Sequence, residues 1–169
     1  MKKLLSALLC ALMLMTACAG ALAEAANATY TSTRTFLTYM DRKGINYEIY
    51  GIDDDGDELI IVPNGDKEAG IEYEIYLFFD DNNENCYVYV WRLIEFTDAN
   101  YLRVLQTVNA INDDYRYVTF TVDEDTNSVF VTIDLIYRDN DVDAIVWEGL
   151  MHVVNIIHNA YGALAPYAK

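Results

Sequence analysis

The chain has 169 residues, 27 of them acidic against 11 basic, for a net charge of −16 at neutral pH. A balance of that sign repels phosphate backbones and anionic membrane surfaces, which excludes nucleic acid as a routine partner. Acidity can also mark disorder, but 53% hydrophobic and 13% aromatic content supplies enough apolar surface for a packed core.

Residues 1–23 have the pattern of an export signal. Lys2 and Lys3 give a positive start, and Leu4 to Met15 is apolar apart from Ser6. Ala21-Leu22-Ala23 is the small-x-small pattern read by signal peptidase, which places cleavage before Glu24. The expected location is therefore secreted or periplasmic. A second reading of the same leader stays open. Met15-Thr16-Ala17-Cys18 approximates a lipobox, in which Cys18 is acylated and anchors the chain on the extracytoplasmic side. Removing the leader takes two lysines and no acid, so the remainder is more acidic still. About 145 residues then remain, the size of one domain with a single core. The expected organisation is a signal peptide over 1–23, a flexible tether over 24–31, one domain over 32–164 and a short tail over 165–169. Cys86 is the one cysteine beyond the leader, so no disulfide framework is expected, and its place at the start of an apolar strand reads as a buried, inert thiol.

In chain order, Ser32 or Thr33 can cap a helix that runs to Lys43, with Phe36, Leu37 and Met40 inward and Gly44 as a left-handed stop. Ile45 to Ile52 and Glu58 to Val62 read as strands joined by the turn Asp53-Asp54-Asp55-Gly56, and Pro63-Asn64-Gly65-Asp66 reads as the next turn. Ile71 to Phe79 alternates Ile71, Tyr73, Ile75, Leu77 and Phe79 against Glu72, Glu74, Tyr76 and Phe78. After a turn at Asp80 to Asn85, Cys86 to Phe96 runs back. Thr97 or Asp98 is placed to cap a helix to about Asn112, with Tyr101, Val104, Leu105, Val108, Ile111 and Asn112 on its inner face. Tyr115 to Val122 and Ser128 to Tyr137 form a hairpin. A last helix starts near Asp141 and carries Val142, Ile145, Val146, Leu150, Val153, Ile157 and Tyr161 at helical spacing. Hairpins require antiparallel pairing. The order α-β-β-β-β-α-β-β-α therefore predicts an α+β domain, a mostly antiparallel sheet with helices on one face.

Particular residues in this order resemble the YbjN family, a group described as bacterial sensory transduction regulators. Phe36-Leu37 followed by Lys43-Gly44-Ile45-Asn46-Tyr47 is similar to the family's opening helix, glycine turn and first strand. Tyr101-Leu102 to Val108-Asn109-Ala110-Ile111-Asn112 is similar to its middle helix, which ends in an Asn-x-x-Asn pattern. The resemblance spans about residues 32–164. It implies a type III secretion chaperone-like fold, a binding or regulatory role without catalytic residues or a cofactor, and a homodimer as a candidate assembly.

The candidate sites are weighed on their own chemistry. Asp53 to Glu58 suggests a calcium loop, but aligning Gly56 with the loop glycine puts Gly51 and Val62 at the two ligand ends, and neither can serve. An acidic hairpin turn accounts for the run. His152 and His158 are six apart, about 600° of helical rotation, whereas ligands on one helix face need a spacing of three or four. No metal site and no catalytic site is assigned, since no nucleophile elbow, zinc-helix motif or phosphate loop occurs. Tyrosine is the unusual side chain, with 14 copies. Tyr73, Tyr87, Tyr89, Trp91 and Tyr117 fall on expected strands and are the candidate binding residues, because stiff amphipathic rings suit interfaces. The expected function is an exported, non-enzymatic module that acts through protein or peptide contacts. The alternative is a lipoprotein tethered at Cys18 that binds a small solute or Ca²⁺.

Overall fold

The alternation along each strand decides which side chains reach the core, and the sheet follows from it. The computed structural model describes residues 24–67, 70–138 and 140–169. The leader and Cys18 lie outside them. Helix α1 (Thr31–Lys43) precedes strands β1 (Glu48–Ile52), β2 (Glu58–Asp66), β3 (Ile71–Phe79) and β4 (Asn85–Glu95). A 3-10 turn (Asp98–Asn100) leads into α2 (Tyr101–Asp114). The hairpin β5 (Thr119–Asp123) and β6 (Ser128–Ile136) follows, and then α3 (Val142–Leu164). The element order is the expected one. The strands form one antiparallel sheet in the order β1-β2-β3-β4-β6-β5.

One face of the sheet is the core face. Ile75, Leu77 and Phe79 of β3, Cys86, Val88 and Val90 of β4, and Val129 and Val131 of β6 are buried in one cluster. The helices complete that cluster with Phe36, Leu37 and Met40 of α1, Val104 and Val108 of α2, and Val146, Leu150, Val153 and Ile157 of α3. Helix α3 passes close over β6. A Cβ added at Gly149 would stand 2.5 Å from Leu135 Cδ1, so a larger residue there would have to push that side chain aside. Among the described residues no helix is long and apolar enough to cross a membrane.

Helix α1 stops as its sequence predicts. Gly44 sits at φ 69°, and the Gly44 and Ile45 amides donate back to the carbonyls of Asp41 and Met40. Its start differs from expectation. Neither Ser32 nor Thr33 caps it, because the helix already begins at Thr31 and both lie within its first turn, with Tyr30 at the N-cap position. The capping groups are remote. The buried carboxylate of Glu58, on β2, accepts from the amides of Thr29 at 2.5 Å and Tyr30 at 2.9 Å. Asn83, in the β3–β4 turn, accepts from the Ser32 amide at 3.0 Å. The stretch read as a tether is thereby fastened to the sheet, with Ala25 and Ala28 buried. The expected cap before α2 is also absent. Asp98 lies in the 3-10 turn and its carboxylate accepts from Asn127 Nδ2 instead.

Two further boundaries shift. Pro63 to Asp66 is no turn. β2 runs through it, with Pro63 opposite Glu74 and Gly65 opposite Glu72. The reason is that β1 begins only at Glu48, opposite Ile61, so Pro63 lies on a free edge where its missing N–H breaks no ladder. The second hairpin begins at Thr119, and Tyr115 to Val118 form its approach. Asn112, at the end of α2, explains that start. Its side-chain amide donates to the Phe120 carbonyl and accepts from the Phe120 amide, both at 2.8 Å. A side chain thus occupies the outer edge of β5, where another strand could pair. The tail is held as well, since the Lys169 amide donates to the Glu95 carbonyl at 2.9 Å.

Candidate functional site

The face of the sheet away from the helices carries the other half of each alternation. Leu59, Phe78, Tyr87 and Asp134 form one cross-strand row there, and Ile61, Tyr76, Tyr89 and Thr132 the next. A bulge then interrupts β4. Val90 pairs with Val131 and Ile94 with Val129, so Trp91, Arg92 and Leu93 stand against Phe130 alone. Arg92 takes φ 50° within this bulge. Bulges of this kind re-aim side chains, and Trp91 here remains 46% exposed.

The rings on this face touch in sequence. Phe78 meets Tyr89 edge-on at 5.7 Å, Tyr89 stacks on Trp91 at 4.7 Å, and Trp91 contacts Phe130 at 5.5 Å. Tyr87 stands beside them. Phe78, Tyr87, Tyr89 and Trp91 line a concavity of about 350 Å³, whose remaining wall is Asp53, Asp55 and Asp57 of the β1–β2 turn. That turn is rigidly built. Asp53 Oδ1 accepts from the amides of Asp55 at 3.0 Å and Asp57 at 2.9 Å.

Electrostatics in the concavity are one-sided. Burial, and then the neighbouring Asp53, Asp80, Asp55 and Asp81, hold the Asp57 carboxyl above its usual range. Burial, followed by Asp80, Asp57 and Asp134, raises the Tyr87 phenol. Among the described residues no basic side chain pairs with Asp53, Asp55 or Asp57; the ion pairs join Arg92 and Lys169 to Glu95, and Arg138 to Glu84. This gives a pH prediction. A carboxyl whose folded pKa is raised costs stability once ionised, so stability falls as pH rises from the unfolded value through the raised one. Asp57→Asn is expected to raise Tm at pH 7, and the gain should shrink at pH 3.5. Thermal melts at both pH values check it, and an unchanged Tm at pH 7 would refute it.

Of the five residues expected to bind, the structure brings three together, Tyr87, Tyr89 and Trp91. Tyr73 shares the parity of Ile71 and Ile75, so it packs against the helix-side core. Tyr117 lies in the approach to β5 and is 70% exposed, its ring 5.8 Å from that of His152 on α3. Both are therefore off this face. Phe78 and Phe130 join it unannounced, although the alternation that buries Leu77, Phe79, Val129 and Val131 already turned them outward.

The other candidates read as structure. Burial pushes the Cys86 thiol well up, which suppresses the thiolate a nucleophile needs. His152 Nδ1 contacts the Glu148 carbonyl at 2.9 Å, one turn earlier on its own helix. Glu58, part of the suspected calcium run, has both oxygens engaged by the start of α1. Among the described residues no group of three or more His, Cys, Asp or Glu side chains is arranged to hold a metal ion.

Known proteins agree with this architecture. Among solved structures the chain is similar to the crystal structure of "YbjN, a putative transcription regulator from E. coli", at 16% identity and a TM-score of 0.52, over 76% of this chain and 90% of that one. At that identity the likeness concerns the fold. No curated protein matches the sequence. Residues 32–147 match the YbjN family, described as "Putative bacterial sensory transduction regulator". That match takes in α1, all six strands, α2 and the start of α3, and the chain therefore belongs to the YbjN family.

Proposed function

We propose that this chain is an exported, non-catalytic regulatory module that recognises a protein or peptide partner on its open sheet face. One observation carries the reading. Four aromatic rings, Phe78, Tyr89, Trp91 and Phe130, touch in series on the side of the sheet that the helices leave bare. Large rings clustered at a surface are costly in water, and such patches mark sites of interaction. Tyr and Trp also lose little conformational freedom on binding, which makes them frequent anchors of affinity.

The test is affinity capture from the native envelope and medium with the chain from Glu24 onward. A partner retained by the wild type should be lost with Trp91→Ala. Truncating a central aromatic anchor costs about 2 kcal/mol or more, roughly a 30-fold loss. The Tm should stay within a few degrees, since Trp91 is partly exposed. Equal retention by both proteins would sink the proposal. Export has its own test. The mass of the protein recovered from its source should correspond to a chain beginning at Glu24. A lipid-modified Cys18 would instead favour the anchored form, and a retained Met1 would contradict export.

A further inference from the structure

We propose that the occupant of the open face is a basic peptide segment of a partner protein, with an Arg or Lys side chain laid over Tyr89 and Trp91 and its charge met by Asp55 and Asp57. This rests on the reading of the open face as the binding surface and adds the chemistry of what binds there.

Three observations point to a cation. Phe78, Tyr87, Tyr89 and Trp91 line the concavity, and aromatic rings attract cations through their negative π systems, indole most strongly. The opposite wall is carboxylate, with Asp53, Asp55 and Asp57 lining the same space as Phe78, Tyr87, Tyr89 and Trp91. The concavity holds no neutralising charge of its own, because among the described residues no basic side chain pairs with those three aspartates. Burial first, and then the closely spaced negative charge of Asp53, Asp80, Asp55 and Asp81, raise the Asp57 carboxyl, and an added cation would relieve the second contribution.

The chain uses the same chemistry internally. Lys43 Nζ lies 5.2 Å from the Tyr39 ring centre and 5.6 Å from that of Trp147, over two rings that meet edge-on at 5.7 Å. There a cation from α1 sits against rings of α1 and α3. On the open face the rings and the carboxylates are present and the cation has to come from outside.

Charge also selects among occupants. A second copy of this chain would bring a net charge of −16 against a carboxylate wall, and like charges brought together oppose association. A partner of opposite sign is attracted by the same field at long range. A peptide is favoured over a small ammonium ion by the extent of the surface. The rings continue from the concavity across β4 to Phe130 on β6, farther than one cationic group reaches.

The test is fluorescence anisotropy of a labelled peptide of alternating glycine and arginine, titrated with the chain from Glu24 onward at about 0.15 M salt, where the screening length is about 8 Å. The lysine and glutamate versions of the peptide and free tetramethylammonium run beside it. Wild type should bind the arginine and lysine peptides and ignore the glutamate one. Trp91→Leu, and separately the pair Asp55→Asn with Asp57→Asn, should each weaken binding at least about tenfold. Tyr89→Leu is a second ring removal in case Trp91→Leu melts early. The pair Asp113→Asn with Asp114→Asn, at the far end of α2, removes equal charge elsewhere and should change affinity less than about twofold. Equal weakening by both aspartate pairs would reduce the effect to net charge and overturn the proposal. Indifference to loss of either ring, no binding by the basic peptides, or displacement by tetramethylammonium at the peptide's own concentration would do the same. If the basic peptides fail while capture of a native partner still depends on Trp91, only this inference falls. If capture is indifferent to Trp91, the open-face reading itself falls.

Discussion

Glu58→Ala is expected to lower the Tm by about 10 °C. The side chain is 1% exposed, and its two oxygens accept from the amides of Thr29 and Tyr30, which no helical carbonyl can reach. A hydrogen bond to a charged group contributes about 1.5–3 kcal/mol, and a buried donor left alone costs a similar amount. Loss of both bonds should therefore cost roughly 3 kcal/mol, and each kcal/mol moves the Tm of a domain this size by about 3 °C. Glu58→Gln keeps one acceptor and sets its NH₂ against an amide donor, so it should fall between the two. The segment before α1 should respond as well. Tyr30 donates its hydroxyl to the Gly56 carbonyl at 2.5 Å, and Arg34 Nη2 reaches the Ala28 carbonyl at 3.0 Å. With the carboxylate gone, hydrogen exchange should quicken at Thr29 and Tyr30 before it does elsewhere. A Tm within 2 °C of wild type would show that α1 needs no remote cap.

Two adjacent phenylalanines give the second large effect, because they face opposite ways. Phe79 is fully buried, 5.8 Å from the Phe36 ring and 6.4 Å from the Tyr137 ring. Phe79→Ala should leave a cavity between β3, α1 and the end of β6 and cost about 3–5 kcal/mol. Phe78→Ala removes a half-buried ring from the open face and should cost about 1 kcal/mol, the scale of a cross-strand aromatic contact. Urea denaturation measures both. A one-residue slip of β3 would exchange the two faces and hence the two costs. Partner binding should show the reverse order, weakened by Phe78→Ala and preserved in whatever fraction of Phe79→Ala stays folded.

The faces of the strands were legible because a period of two is a local property. Ile71 to Phe79 alone orients β3, and the observed strand has those bounds. The stop of α1 at Gly44 was equally local. What escaped was non-local. Nothing near Thr31 indicates that its helix is capped by Glu58 and Asn83, which lie far along the chain. Pro63-Asn64-Gly65-Asp66 has the composition of a turn, and only the late start of β1, at Glu48 opposite Ile61, makes a strand there tolerable. The same division holds for the site. Tyr87, Tyr89 and Trp91 were legible as one face of one strand. Tyr73 has the ring chemistry of a binding residue but the parity of Ile71 and Ile75, which turns it to the core. Tyr117 precedes its strand, which begins only where Asn112 brackets Phe120, and no local signal marks that start. The bulge at Arg92 that turns Trp91 toward Phe130 has no glycine to mark it in the sequence.

The location of binding follows neither from family membership nor from the fold. A photo-crosslinking amino acid at position 91, with a control at Leu102, measures it most directly. Leu102 is 69% exposed and lies on α2, on the helix side of the sheet. Irradiation in the native envelope is expected to join one partner to the chain from position 91 and none from position 102. Crosslinking from position 102 alone, or equally from both, would place recognition on the helices and contradict it.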